Sequence, residues 1–131
     1  MAKTNYDVTW SGATSSSVAP GNHKFSDAMS IDSAAYDGRI DISIDGAGGG
    51  TETGYYINLY AQYSADNANY ESVPDSRRLF PLGSIYVEDA SWPKVLPNCP
   101  LDTLPAGFKL VVYNGATTDT ISFSAIYRLL S

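Results

Sequence analysis

The chain has 131 residues and 14.1 kDa, the size of one domain with one core. Eight lysines and arginines stand against fourteen acids, a net charge of −6, which argues against a basic groove for nucleic acid or anionic lipid. A single cysteine (Cys99) and a single histidine (His23) exclude an internal disulfide framework and disfavour zinc, and no run of about 18 apolar residues spans a bilayer.

Eleven of the fourteen acids are aspartate. Aspartate prefers turns and caps where glutamate prefers helix, and the chain is also rich in Ser, Thr, Gly, Tyr, Val and Ile. That mixture predicts strands joined by turns.

In chain order, Tyr6 to Trp10 and Ser15 to Ala19 read as short strands, followed by a turn at Pro20-Gly21-Asn22. A short helical turn fits Ser26 to Ser30. Arg39 to Asp45 alternates, placing Ile40, Ile42 and Ile44 on one face. Gly46 to Gly50 reads as a flexible connection into a second strand, Tyr55 to Ser64. There Ile57, Leu59, Ala61 and Tyr63 face inward and Asn58, Tyr60 and Gln62 outward. The two strands form an antiparallel pair or span the ends of two sheets.

Ser84 to Val87 is a further strand. Residues 91 to 106 carry Pro93, Pro97, Pro100 and Pro105 and read as an extended loop over an end or edge of the sheets. Gly107 to Tyr113 puts Phe108, Leu110 and Val112 on one face. Asn114-Gly115 then signals a hairpin into Thr120 to Leu130, with Ile121, Phe123, Ala125, Tyr127 and Leu129 inward. Seven or eight strands with long connections predict a single all-β domain over 1–131. Its architecture is an antiparallel two-sheet sandwich of the jelly-roll kind, with residues 1–20 available as an assembly arm.

Catalytic patterns are weak. His23 sits in a turn-like stretch without a carboxylate or nucleophile nearby in sequence, and reads as a surface histidine. Cys99 reads as a buried structural thiol. Asp41 and Asp45, with Asp37 just before their strand, read as aspartates on a solvated face that discourage edge pairing, and not as an acid and base pair. The Asp66 to Glu71 loop offers oxygen ligands that calcium accepts, yet lacks the EF-hand spacing, so an Asx-bonded turn is the simpler reading. No phosphate loop, dinucleotide fingerprint or serine elbow occurs, so neither an enzyme nor a cofactor is expected.

Aromatic and apolar side chains on outward faces remain. Tyr60, Trp92, Val111, Tyr113, Ile126 and Leu130 form the candidate interface, since tyrosine and tryptophan give large contact area at low entropic cost.

Several stretches resemble small jelly-roll virion proteins of tailed bacteriophages, the decoration or cement class. They are Tyr56-Ile57-Asn58-Leu59-Tyr60 leading to Ser64-Ala65-Asp66, Arg78-Leu79-Phe80-Pro81-Leu82-Gly83, Leu104-Pro105-Ala106-Gly107 and Asn114 to Asp119. The resemblance implies a non-catalytic protein of the virion, made in a host cytoplasm, which forms homotrimers and clamps a major capsid protein. Such clamping needs interfaces on the order of 1,600 Å² each. The alternatives are a phage tail or fibre component, or a carbohydrate-binding module whose exposed aromatics stack on a glycan.

Overall fold

The computed structural model describes residues 3–48, 51–70 and 79–131. Ten strands are present among them: β1 (Lys3–Asp7), β2 (Ser15–Val18), β3 (His23–Phe25), β4 (Met29–Ser30), β5 (Asp37–Gly48), β6 (Tyr55–Ser64), β7 (Phe80–Val87), β8 (Lys94–Leu101), β9 (Gly107–Asn114) and β10 (Thr120–Leu130). None of the described residues is helical, so no helix is long and apolar enough to cross a membrane.

Every pairing is antiparallel. One sheet runs β1-β10-β5-β8 with β2 continuing the β1 edge of β10, and the other runs β3-β9-β6-β7 with β4 continuing the β3 edge of β9. Counting β1 with β2 and β3 with β4 as two interrupted strands leaves eight. The first then pairs with the last, the second with the seventh, the third with the sixth and the fourth with the fifth. That nesting is one long hairpin wound on itself, a jelly roll.

Period-two alternation decides what lies between the sheets. Ile40, Ile42 and Ile44 of β5, with Ile121, Phe123 and Leu129 of β10, face Ile57 and Leu59 of β6 and Phe108, Leu110 and Val112 of β9, and all are buried. Trp10 meets Phe123 edge-on at 5.1 Å, and Phe108 meets Tyr127 the same way at 5.1 Å.

Several local expectations are overturned. Residues 94 to 101 are a strand, β8, and not a loop. It lies on the sheet edge, where proline costs no inner hydrogen bond, and its pairing with β5 shifts register between Ile40 and Ile42, where Pro97 and the positive-φ Asn98 fall. Asn114-Gly115 is not a hairpin turn, because β9 and β10 belong to opposite sheets. Buried Asn114 pins that crossing instead: its Nδ2 donates to the carbonyls of Val18 (3.1 Å) and Asp119 (2.8 Å), and its Oδ1 accepts from the Ala116 amide.

The Ser26 to Ser30 stretch forms no helical turn and leads into β4. Gly46 to Gly48 continues β5 alongside β10, while Gly49 and Gly50 lie outside the described residues. β5 and β6 span the two sheets, the second of the arrangements the sequence allows.

Candidate functional site

The aspartates on β5 are held by partners of their own. Arg128 of β10 makes two hydrogen bonds to Asp41, whose Oδ1 also accepts the Asn98 amide at 2.7 Å. These bonds, led by the guanidinium, hold the Asp41 carboxyl below the usual carboxylate range. Asp45 accepts from the hydroxyls of Ser43 (2.8 Å) and Ser124 (3.3 Å), and Asp37 pairs with Arg39 at 3.5 Å. A groove of about 420 Å³ opens beside them on the outer face of this sheet, between Asp7, Thr14, Ser43, Val95, Ser124 and Ile126. An acid and base pair needs one carboxyl held protonated by its surroundings, and the partners of Asp41 do the opposite.

His23 lies on strand β3, not in a turn. Its ring sits 4.7 Å from Tyr113 and 6.5 Å from Tyr60 by centroids, and burial pulls its pKa below the ordinary value. Cys99 is buried on β8, at the opposite edge of the opposite sheet, and burial, then the charge of Asp41, pushes its thiol pKa up. The two residues the sequence offers for nucleophilic chemistry are therefore apart, and neither is activated.

In the Asp66 loop, the carboxylate accepts the Ala68 and Asn69 amides (2.9 Å each) and the Ser64 hydroxyl (2.9 Å), an Asx-type turn that pulls its pKa far down. Glu71 lies outside the described residues. Among the described residues, no three His, Cys, Asp or Glu side chains gather to hold a metal ion.

The candidate interface residues do not form one patch. His23, Phe25, Tyr60 and Tyr113 share the outer face of the β3-β9-β6-β7 sheet. Val111 lies on that same face but is fully buried, a correction to its place in the interface. Its cross-strand neighbours are Phe25 and Tyr60, and two large side chains flanking a central strand leave valine no exposed surface. Gln62, also on this outward row, is buried as well. Ile126 and Leu130 are half-buried on the other sheet's outer face. Trp92 is partly buried against the core, with the Lys94 ammonium 5.4 Å over its ring.

The most exposed apolar side chains are ones that alternation does not single out. Leu104 is 93% exposed and Phe80 60%. Both belong to one end of the sandwich around Tyr63: the Phe80 ring lies 5.4 Å from the Tyr63 ring, and Asp102, whose amide donates to the Tyr63 hydroxyl, accepts the Leu104 amide. The exposed Tyr56 and Tyr86 rings stand 4.8 Å apart toward the other end of β6 and β7. The signal that could have found Leu104 is its place in a proline-flanked loop, where an apolar residue has no strand face to fill.

No protein-family model matches the sequence, and no curated protein does. Solved structures do match in fold. The structure of infectious bursal disease virus Gt strain superposes with a TM-score of 0.56 at 11% identity over 98% of this chain, and the D431N mutant VP2 protein of that virus in T=1 particles superposes with 0.57 at 11%. The chain spans about a third of the length of that viral protein, 32% in both cases. A family 29 carbohydrate-binding module from Piromyces equi superposes with a TM-score of 0.53 at 17% identity, covering all of this chain and 93% of the module. At these identities the likeness is one of fold: a two-sheet sandwich that a viral capsid protein and a sugar-binding module both use.

Proposed function

We propose that this protein is a non-enzymatic structural component of a virion, a decoration or cement subunit that binds copies of itself and a major capsid protein. One observation carries the reading. Apolar side chains such as Leu104, Phe80 and Val95 stand open to solvent, while the acids with chemical potential are tied into structural hydrogen bonds. A surface so arranged gains by burial against neighbours, and among the described residues the β5 acids are held in place by their own hydrogen bonds. The fold likeness to a viral capsid protein supports it. In this reading the chain is made in the host cytoplasm and acts in the particle, where threefold clusters of it would bridge capsid subunits and resist outward rupture. The test is purification of virus from natural material. The chain is expected in intact particles at stoichiometric amounts, and particles stripped of it should rupture at lower temperature. Its absence from purified particles would end the proposal.

Glycan binding is the second reading, favoured by the outward rings of His23, Tyr60 and Tyr113 on one sheet and by the match in length to the carbohydrate-binding module. Aromatic faces stack on sugar rings. Titration with oligosaccharides, followed by tyrosine and tryptophan fluorescence, separates the two. A saturable shift supports sugar recognition, and a flat response across glycan classes supports the shell role.

A further inference from the structure

The four sheet edges are not alike. β8 carries Pro97 and Pro100, β7 carries Pro81, and β3 and β4 are only three and two residues long, all devices that blunt an edge. β1 has none of these. It is five residues long, free of proline, exposed at every position, and paired among the described residues only with β10.

Its hydrogen-bonding parity can be read from the next residue. The Val8 amide donates to Ala125 at 3.0 Å, and Val8 stands opposite Ala125 if the β1 register is continued. Antiparallel ladders alternate, so Tyr6 and Thr4 exchange bonds with β10, while Lys3, Asn5 and Asp7 turn their amides and carbonyls to the open edge. The sequence on that edge, Lys-Thr-Asn-Tyr-Asp, is complementary to itself when reversed.

We infer that β1 is a self-pairing edge, on which a second copy of this chain adds its own β1 antiparallel across a twofold axis through Asn5. In that register Asn5 faces Asn5, each Lys3 faces the other copy's Asp7, and Thr4 faces Tyr6. The three outward-turned residues of one strand meet those of the other, so six backbone hydrogen bonds form with no group mismatched. Two opposite-charge pairs lock the register, since a slip by two residues breaks both. Charged residues normally guard an edge against strangers; here their placement at mirrored positions admits one partner. Tyr6, 37% exposed and stacked on Tyr127 at 4.8 Å, gains cover from the incoming Thr4. A twofold contact of this kind closes on two copies. It goes beyond the virion reading and does not rest on it, and it is separate from any threefold contact.

A five-residue ladder is smaller than a standard interface of about 1,600 Å², so the test uses a covalent trap with mass measurement. Residues in a hydrogen-bonded antiparallel pair have Cα atoms about 5.5 Å apart, within disulfide reach. Asn5→Cys is expected to oxidise to a disulfide dimer, and Thr4→Cys, whose partner is Tyr6, to do so far more slowly. Buried Cys99 does not compete. Lys3→Asp or Asp7→Lys alone should slow the Asn5→Cys trap and weaken dimerisation about tenfold, by turning two attractions into repulsions, and the double exchange should restore both. Asn5→Pro, which removes an amide not used by β10, should abolish dimers while circular dichroism stays native. Equal trapping at positions 4 and 5, or single charge reversals without effect, would overturn the proposal.

Discussion

Glu52 ties a loop to the crossing between the two sheets. Its carboxylate accepts the amides of Thr117 (2.7 Å), Thr118 (2.7 Å) and Asp119 (3.2 Å) and both threonine hydroxyls. The Thr118 hydroxyl, followed by the backbone amides, lowers its pKa from 4.5 to about 2. A depressed carboxylate stabilises the fold fully above its unfolded value and loses that contribution as the pH falls toward its folded one. Urea unfolding as a function of pH should therefore show stability declining between 4.5 and about 2, and Glu52→Gln should flatten that limb. Asp27, Asp41 and Asp66 are depressed too, so a residual slope is expected in the variant. Gly115 stands in the same crossing. Its amide donates to the Tyr56 carbonyl at 2.9 Å, and a Cβ there would overlap that oxygen. Because the obstacle is backbone, Gly115→Ala should cost about 1–3 kcal/mol in a denaturant titration.

At the level of strands, Val111 and Ile126 test how burial departs from alternation. Both sit on outward rows, yet Val111 is sealed by its cross-strand neighbours and Ile126 is half-open. Val111→Asp should lower stability by more than about 2 kcal/mol, through an unpaired buried carboxylate, whereas Ile126→Lys, at a half-open site whose cross-strand neighbours are Asp7 and Asp41, should leave the unfolding midpoint close to that of the natural chain. Alternation in β5, β6, β9 and β10 was legible because each has one face on the core. The period of two says nothing of which strand lies alongside, so an Asn-Gly pair between two good strands suggested a hairpin where the chain changes sheets. β8 was hidden for a different reason: prolines that forbid an inner strand are permitted on an edge, and only tertiary pairing reveals the edge. Alternation gives the outward row of β6, but Gln62 shows that outward and exposed are different properties. His23, read as part of a turn, became a strand residue because β9 supplies the partner its own neighbours do not announce.

For the whole molecule, the proposed role turns on the Leu104 and Phe80 end. Leu104→Asp touches a side chain already in water, so stability should change by less than about 0.5 kcal/mol; if that end docks on a shell, occupancy of particles in a reconstitution assay should fall sharply. Unchanged occupancy would move the contact to another face. The winding of the chain has its own outcome during synthesis. β10 is the last of the ten described strands to be made, and it is also the strand on which β1, β2 and β5 all pair. A nascent chain that has emerged as far as β9 holds one sheet ready to form and the other without its middle, its hydrophobic rows facing nothing. Completion must wait for Thr120–Leu130, and then joins segments as far apart in sequence as Lys3 and Leu130. Translation stalled before β10 would leave a sticky half-sandwich, and removing β10 would take out the strand that three others pair on.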